Sequence, residues 1–255
     1  MNVSLAAESL WKHAQRGNFY PDEWRGRLTL ENAYRIQLAH LDRYLRSGER
    51  QAGWKVGLTA RAIREQIGAH EPVFGYLLES AARESGARFR TGDLISPLFE
   101  TELCLTVDCT LRGPGITPAQ ARRCISAAAP AFELVERRGD FVGDLALALA
   151  DNAQQKAFIV GASQAPIPQD LDFALVTVDV FINGRRVDGA AGSEVLGSPA
   201  ASVAWLANRL AAFGRAVEPG MRVMSGSFIR QYPVAPGDFI EAHFGPLGAV
   251  RAKFG

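Results

Sequence analysis

Three glutamates are the residues of this sequence whose type and spacing most directly suggest chemistry. Glu100 and Glu102 alternate with the apolar Phe99 and Leu103, so a strand in this segment would carry both carboxylates on one face. Neighbouring carboxylates on one face repel each other unless water or a cation separates them. Mg²⁺ or Mn²⁺ is the expected cation, because hard divalent ions prefer oxygen ligands, whereas zinc usually takes His or Cys.

Glu133 is the third candidate ligand. The pair of glutamates alone is also typical of a strand face that simply meets water, so it does not by itself establish a site. Glu133, in contrast, lies inside the apolar segment Ala131-Phe132-Glu133-Leu134-Val135. A buried carboxylate costs free energy unless a metal or a hydrogen-bond donor compensates it. This cost favours a metal-binding role for Glu133.

Lys55 places a cation in a similarly apolar setting. It stands between Trp54 and Val56, and glycines at positions 53 and 57 bracket the segment. One interpretation is that its long stem carries the ammonium group to the surface. The other is that Lys55 meets an anionic substrate near the metal, where close backbone approach at the glycines makes room.

The elements that would position these residues follow from periodicity. Apolar residues recur at helical spacing through residues 1–50, which predicts a helical N-terminal region. A short strand at residues 53–57 and a short helix at residues 61–67, ended by Gly68, come next. Asn183-Gly184 predicts a type I′ hairpin, and Pro236-Gly237-Asp238 predicts a turn. The other predicted elements are strands at residues 98–107, 131–135, 156–160, 175–182, 221–228 and 239–244, and helices from Thr117-Pro118 towards Ala128 and from Ser198-Pro199 to Gly214.

The order of these elements predicts the fold class. Strands are numerous and do not alternate regularly with long helices, which favours an α+β fold over a doubly wound parallel sheet. No linker, composition break or internal repeat divides the chain. We therefore expect a single catalytic domain over residues 1–255, with residues 1–50 as its helical subregion.

Composition and motifs exclude several classes of function. The chain carries 28 Lys plus Arg and 27 Asp plus Glu, a net charge of +1, which argues against broad nucleic-acid binding. Phosphate-binding loops and the dinucleotide fingerprint are absent from the sequence, so ATP and NAD are not expected. The histidines are scattered, and Gly226-Ser227-Phe228 lacks the Gly-x-Ser-x-Gly pattern, so a nucleophile triad has no support.

The cysteines and the hydropathy pattern indicate the cellular compartment in which the protein is expected. Cys104, Cys109 and Cys124 indicate neither a disulfide framework nor a structural zinc site. The N-terminus lacks a signal-peptide pattern, and no segment approaches the roughly 18 apolar residues of a membrane span. A cytoplasmic protein without a membrane partner is expected.

Several separated segments resemble one family, the branch of the fumarylacetoacetate hydrolase superfamily that contains 2-keto-4-pentenoate hydratases and 4-oxalocrotonate decarboxylases. The resemblance spans nearly the whole chain in order and spacing. The segments are Gly53-Trp54-Lys55-Val56-Gly57-Leu58-Thr59, Glu71-Pro72-Val73-Phe74-Gly75, Phe99-Glu100-Thr101-Glu102, Pro130-Ala131-Phe132-Glu133-Leu134-Val135, Ala150-Asp151-Asn152-Ala153, Val195-Leu196-Gly197-Ser198-Pro199, Ala204-Trp205-Leu206-Ala207-Asn208 and Ser225-Gly226-Ser227.

The resemblance implies roles for individual residues. It marks Glu100, Glu102 and Glu133 as ligands of Mg²⁺ or Mn²⁺ and Lys55 as the active-site lysine. It implies a mixed β-sheet roll beside the helical N-terminal region, and a homo-oligomer that could associate with a sister enzyme of its pathway. It also suggests substrate contacts at Leu58, Thr59, Val73, Asp151 and Ser227.

The implied reaction has two forms. A hydratase would add water to 2-hydroxypenta-2,4-dienoate (2-keto-4-pentenoate), or a close relative, to give a 4-hydroxy-2-oxo acid in aromatic-compound catabolism. Hydratases of this family commonly carry Asp where this chain has Val73, and Asp-Ser-Arg where it has Glu136-Arg137-Arg138. Because the related 4-oxalocrotonate decarboxylases tend to have an apolar residue at the Val73 position, decarboxylation is the alternative. A non-catalytic metal-binding or scaffold subunit is the alternative of another class.

Overall fold

The computed structural model describes residues 1–168 and 170–255. Its α-helices are α1 (Val3–Ala14), α2 (Leu30–Arg46), α3 (Arg61–Ile67), α4 (Pro118–Cys124), α5 (Leu145–Ala150) and α6 (Pro199–Ala211). Its strands are β1 (Gln51–Gly57), β2 (Val73–Leu78), β3 (Ala82–Glu84), β4 (Ala87–Phe89), β5 (Pro97–Val107), β6 (Ile125–Glu136), β7 (Gln155–Val160), β8 (Thr177–Ile182), β9 (Arg185–Ala191), β10 (Arg222–Met224), β11 (Tyr232–Pro233), β12 (Phe239–His243) and β13 (Ala249–Phe254). Short 3₁₀ turns connect several of them. The predicted α+β class is confirmed.

The N-terminal helices pack against the rest of the chain. Thr29 caps α2 by accepting a hydrogen bond from the third helical residue, which satisfies one free backbone donor. From α2, Tyr34 stacks on Phe74 of β2 with ring centroids 4.2 Å apart. The buried Gln37 amide donates to the carbonyls of Phe74 and Leu149, at 3.2 and 2.8 Å. Stacking and hydrogen bonds therefore join α2 to both β2 and α5.

A large mixed sheet carries the candidate site. Its strands lie in the order β2-β1-β10-β5-β6-β7-β3, and β11 pairs with the start of β5. β1 pairs parallel to β10, whereas the long strands β5 and β6 pair antiparallel along nearly their whole length. Both long strands are mostly buried, and α4 and β13 contact β6. The central strands thus offer a rigid support for side chains.

A second sheet has the order β4-β13-β12-β8-β9. Asn183 and Gly184 connect β8 and β9 with φ of 53° and 77°, as the hairpin signal predicted. One hydrophobic cluster extends from α1 through the large sheet to β13 at the end of the chain. Among the described residues, no helix combines the length and apolarity needed to cross a membrane.

Some element predictions were wrong in extent. The helix predicted towards Ala128 ends at Cys124, because Ile125 to Ala129 already pair with β5 in the sheet. The strand predicted at residues 221–228 ends at Met224, and the chain then turns through Gly226 with φ of 108°. Positive φ at this position suits glycine and ends the extended run.

The cysteine prediction is also corrected. Cys109 and Cys124 form a disulfide, with their Cα atoms 5.4 Å apart, while Cys104 is free and buried. Antiparallel pairing of β5 with β6 brings the segments after β5 and before β6 together, and the N–H of residue 108 donates to the Cys124 carbonyl at 2.9 Å. Sequence spacing alone does not reveal this long-range register.

Candidate functional site

Three carboxylates converge on the face shared by β5 and β6. Glu100 lies directly opposite Glu133 in the antiparallel register, and Glu102 is the next residue of β5 on the same face. One carboxylate oxygen from each residue lies within 4.8 Å of the other two. The two sequence patterns, alternation for Glu100 and Glu102 and an apolar setting for Glu133, therefore identified residues that lie together in the sheet.

The carboxylates of Glu102 and Glu133 are fully buried, and most of their oxygens lack partners. Glu102 accepts one hydrogen bond, through Oε2, from the Gly226 N–H at 2.8 Å. Among the described residues, Glu102 Oε1 and both oxygens of Glu133 make no hydrogen bond, and the positively charged group beside them is the Lys55 ammonium, 3.3 Å from Glu133 Oε1. Glu100 is partly exposed, and its Oε1 accepts from Gln231 Nε2 at 2.8 Å. Buried carboxylate oxygens without donors are the groups that a bound cation would satisfy.

Proton affinity supports the same conclusion. Burial raises the pKa of Glu102 well above its ordinary value, and the charges of Glu133 and Glu100 raise it further. Burial also raises the pKa of Glu133 to about 8, although the Lys55 ammonium opposes this shift. A divalent cation would reverse both shifts by stabilising the ionised forms. Three oxygen donors, mostly unpartnered, fit a hard ion such as Mg²⁺ or Mn²⁺.

Lys55 lies beside this group. It comes from β1, is almost fully buried, and holds its Nζ 3.3 Å from Glu133 Oε1. The same Nζ donates to the Ala153 carbonyl at 3.3 Å. Burial lowers the pKa of Lys55, but the charges of Glu133, Glu100 and Glu102 outweigh burial, so that its pKa is raised overall. The neighbouring carboxylates thus favour the charged form of Lys55.

A pocket of about 520 Å³ opens above the carboxylates. Lys55 and Glu100 line its base, and four of the five predicted substrate contacts also line it. These four residues are Leu58, Thr59, Val73 and Ser227. The Ser227 hydroxyl accepts from the Thr101 N–H at 3.3 Å, which fixes the 225–228 turn against β5.

The structure does not bring Asp151 to this pocket. Its carboxylate accepts from Arg138 Nε at 2.7 Å and lines a separate cavity of about 780 Å³. Burial raises the pKa of Asp151 to about 6 in spite of the opposing Arg138 charge. Asp151 follows α5, and the next three residues, Asn152, Ala153 and Gln154, all have positive φ. Of these, Ala153 and Gln154 line the pocket.

No sequence pattern assigned a functional role to Gly226, Gln231, Arg137 or Arg230. The last three line the pocket, and Gly226 holds Glu102. The φ of 108° at Gly226 and a contact that a Cβ would make with Thr59 explain why glycine occupies that position. Gln231 and the two arginines lie in or beside loops, where no periodic pattern identifies them.

Comparison with known proteins places this geometry in a family. The family model described as "Fumarylacetoacetate (FAA) hydrolase C-terminal" matches residues 49–254. A 2-hydroxyhexa-2,4-dienoate hydratase of Comamonas testosteroni is 35% identical over 89% of this chain and 87% of its own length. A 4-oxalocrotonate decarboxylase of Pseudomonas sp. (strain CF600) is 35% identical over 93% and 88%.

A solved structure extends the likeness to the whole fold. The 4-oxalocrotonate decarboxylase from Pseudomonas putida G7, complexed with magnesium and adipate, superposes with a TM-score of 0.91 at 30% identity, covering 99% of this chain and 97% of its own. That protein holds magnesium, and the present chain offers three converging carboxylates. The curled mixed sheets, the acidic site and these relatives agree: the chain belongs to the fumarylacetoacetate hydrolase family.

Proposed function

We propose that the protein is a Mg²⁺- or Mn²⁺-dependent hydro-lyase that hydrates 2-hydroxypenta-2,4-dienoate or a close relative. One observation supports the proposal most strongly: Glu100, Glu102 and Glu133 converge, Lys55 lies beside them, and both Lys55 and Glu100 line one pocket. Relatives at 35% identity are named as a hydratase and a decarboxylase, which favours a catalytic role over a purely non-catalytic one.

The three carboxylates would hold the metal. A bound divalent cation supplies positive charge that stabilises the enolate-like charge which develops on a 2-oxo acid during the reaction. Around it, this chain supplies the positioning groups. Lys55 presents a cationic Nζ to an anionic substrate and can hold or move a proton at that atom. Thr59 and Ser227 contribute hydroxyl groups to the same wall.

Hydration requires two events after the substrate binds. The dienol is protonated at carbon and becomes a ketone, and water then adds across the remaining double bond. Lys55 Nζ is the group in the pocket best placed to donate the proton or to orient the water. The apolar side chains of Leu58, Val73 and Val135 exclude other water molecules from the substrate's carbon chain.

Decarboxylation is the second candidate, and Val73 is the observation that favours it. Its side chain is only 3% exposed and lines the pocket, where a hydratase of this family would commonly carry a carboxylate. An apolar wall weakens the solvation of a leaving carboxylate and so favours loss of CO₂. The decarboxylase of Pseudomonas putida G7 also shares the whole fold.

The test is the identity of the product. Purified protein with Mg²⁺ is given freshly generated 2-hydroxypenta-2,4-dienoate and, separately, 4-oxalocrotonate. Formation of the 4-hydroxy-2-oxo acid without CO₂ release supports hydration, and CO₂ release without hydration supports the second candidate. Glu102→Ala serves as the metal-site control, and no turnover of either substrate would contradict the proposal.

Assembly and location are part of the same proposal. We infer a homo-oligomer in the cytoplasm that could associate with a sister enzyme of the pathway. Because disulfides are rare in reducing compartments, the pairing of Cys109 with Cys124 offers a check. In protein denatured and alkylated at lysis, mass spectrometry should find all three cysteines alkylated if the protein is kept reduced in the cytoplasm. Alkylation of Cys104 alone would contradict that location.

A further inference from the structure

The segment that follows α5 holds three consecutive residues in a left-handed conformation. Asn152, Ala153 and Gln154 have φ of 52°, 48° and 62°. Backbone in this region favours glycine, and among other residues Asn adopts it more readily than Ala or Gln. Such a turn persists only where the surrounding contacts hold it. The contacts that hold residues 152–154 therefore determine where the Ala153 carbonyl lies.

Asn152 makes contacts of this kind. Its Oδ1 accepts a hydrogen bond from the Tyr76 N–H at 2.8 Å, and its Nδ2 donates to the Tyr76 carbonyl at 3.0 Å. The carboxamide thus pairs with β2 as the backbone of a neighbouring strand would. Asn152 is buried, and this pairing gives each of its side-chain polar atoms a partner.

Gly75 makes room for this pairing. It lies opposite Lys55 in the antiparallel register of β1 and β2. A Cβ at position 75 would lie 2.8 Å from Asn152 Oδ1 and 3.2 Å from Lys55 Cε. The absence of a side chain at this position therefore accommodates both the Asn152 amide and the stem of Lys55.

The 152–154 turn supplies one of the groups that orient the Lys55 ammonium. In the described part of the chain, Nζ meets the Ala153 carbonyl and Glu133 Oε1, each at 3.3 Å. An ammonium group carries three donors, so one remains for the pocket that Lys55 lines. Because Ala153 directly follows Asn152, the pairing of Asn152 with Tyr76 sets the position of that carbonyl and with it the direction of Nζ.

We propose that Asn152 is a positioning residue: by pairing with Tyr76 it holds the Ala153 carbonyl, which in turn aims Lys55 Nζ at the substrate. The inference rests on the proposed function for the part that Lys55 plays in proton transfer. Asn152 lines the cavity of about 780 Å³, whereas Lys55 and Ala153 line the pocket of about 520 Å³. Asn152 therefore acts through Lys55 and not by contact with the substrate.

Gln154 is the rival anchor of the turn. Its Nε2 donates to the Tyr20 hydroxyl at 2.9 Å and to the Gly139 carbonyl at 3.1 Å. It also lines the pocket, so its side chain contributes to the pocket wall as well as to the turn. Asn152, in contrast, ties the turn to β2, which pairs directly with the strand of Lys55.

The first experiment compares one substitution with and without Lys55. Asn152→Gly keeps a backbone suited to positive φ and removes the carboxamide. Its kcat should fall by about 10- to 100-fold, because a shift of about 1 Å in a reacting group has an effect of this size. The Kd for Mn²⁺ should stay within about twofold, and in a Lys55→Met background the same substitution should change kcat by less than about twofold, since the group that it positions is gone.

Asn208→Ala is the matched control. The Asn208 carboxamide makes the same pair of hydrogen bonds with the N–H and carbonyl of Ile116, both at 2.8 Å. Asn208 lies in α6, away from the pocket, so its loss should cost stability but leave kcat unchanged. If Asn152→Gly does not fold, Asn152→Asp replaces it, because Asp has the same size but cannot donate to the Tyr76 carbonyl. Its kcat should fall by a smaller factor, and again only when Lys55 is present.

Crystal structures of the wild-type protein and Asn152→Gly distinguish this inference from the proposed function. Loss of the contact between Lys55 Nζ and the Ala153 carbonyl in the variant would support it. An Nζ that keeps this contact would identify Gln154 as the anchor and overturn the role of Asn152, as would an unchanged kcat or an equal fall of kcat with and without Lys55. If the wild-type protein turns over neither substrate, the proposed function fails, and the position of Nζ in the two structures still decides the role of Asn152.

Discussion

Lys55 and Glu133 meet at 3.3 Å although β10 and β5 lie between their strands in the sheet. Three strand spacings in a flat sheet amount to about 14 Å, more than these two side chains bridge when they stand upright on its face. The sheet therefore curls towards the pocket. This curl brings the lysine of β1 over the carboxylates of β5 and β6.

The first prediction concerns Lys55. Lys55→Met should lower turnover by about 100-fold or more, because it removes the buried amine that we propose contacts the substrate and holds a proton. Steady-state kinetics with saturating Mg²⁺ provide the measurement. Lys12→Met, at an exposed position of α1, is the control and should leave turnover unchanged. Near-normal turnover in a folded Lys55→Met protein would remove Lys55 from the catalytic group.

The second prediction concerns the metal. Glu102→Gln keeps the shape of the side chain but removes the charge of a proposed ligand, so the Kd for Mn²⁺ should rise by at least about 10- to 100-fold. Calorimetric titration of Mn²⁺ measures this directly. The exposed Glu65→Gln on α3 is the matched control. Unaltered Mn²⁺ affinity in Glu102→Gln would place the ion elsewhere.

The third prediction tests the glycine that supports Glu102. Gly226 has φ of 108°, and an added Cβ would overlap the Thr59 side chain. Gly226→Ala should therefore lower the free energy of unfolding by about 1–3 kcal/mol. It should also weaken Mn²⁺ binding, since the N–H that orients Glu102 must move.

Gly237→Ala is the control that distinguishes the effect of backbone strain from the effect of the contact between an added Cβ and Thr59. Gly237 has a similar φ of 91° but nothing within 4 Å of an added Cβ. We expect it to cost stability without changing Mn²⁺ affinity. Equal effects of the two substitutions on the metal would show that Gly226 does not position Glu102.

The fourth prediction is a pH dependence of stability at Asp151. Its pKa is raised to about 6 in the folded protein, against an ordinary value of 3.8. Between these values the folded state binds a proton that the unfolded state does not, so this group makes the free energy of unfolding rise as pH falls from about 6 to 4. Asp151→Asn should remove that component.

Urea unfolding of wild type and Asp151→Asn at several pH values gives the difference as a function of pH. A difference that does not vary between pH 4 and 6 would contradict the raised pKa. The same variant tests the predicted substrate contact, which stays a prediction. Since Asp151 lies outside the pocket of Lys55, we expect the KM of the Asp151→Asn variant to remain near that of the wild-type protein.

The fifth prediction distinguishes the two reactions at Val73. If Val73 marks a decarboxylase pocket, Val73→Asp should depress CO₂ release from 4-oxalocrotonate, because a carboxylate restores polarity and repels the anionic substrate. Val73→Leu preserves apolarity and serves as the control. Undiminished CO₂ release in a folded Val73→Asp protein would show that residue 73 does not determine which of the two reactions occurs.

Local patterns predicted the parts of the site that depend on one strand at a time. The alternation around Glu100 and Glu102 has a period of two, and Glu133 is conspicuous because its neighbours are apolar. The pairing of Glu100 with Glu133 depends on the register of two strands, which no local pattern contains. The disulfide from Cys109 to Cys124 was missed for the same reason.

Other misses have different causes. β13 alternates apolar and charged residues from Val250 to Phe254, a period of two that is typical of a strand, although no strand was predicted there. Arg137 and Gln231 occupy irregular segments, where position is set by packing rather than by periodicity. Asp151 belongs to the same sequence segment as Ala153, which lines the pocket of Lys55. The residues immediately after Asp151 have positive φ, and the Asp151 side chain lines the other cavity. The single-domain prediction for residues 1–255 stays a prediction.

The hydrogen bonds of Gln37 constrain how this protein can diverge. The family match begins at residue 49, but the Gln37 amide, in α2, satisfies carbonyls of β2 and α5 inside the matched region. A descendant that lost α2 would leave the Phe74 and Leu149 carbonyls to find new donors or to become exposed. A related protein that keeps residues 49–254 but lacks α2 therefore requires compensating substitutions in β2, in α5 or in the segment that replaces the helix.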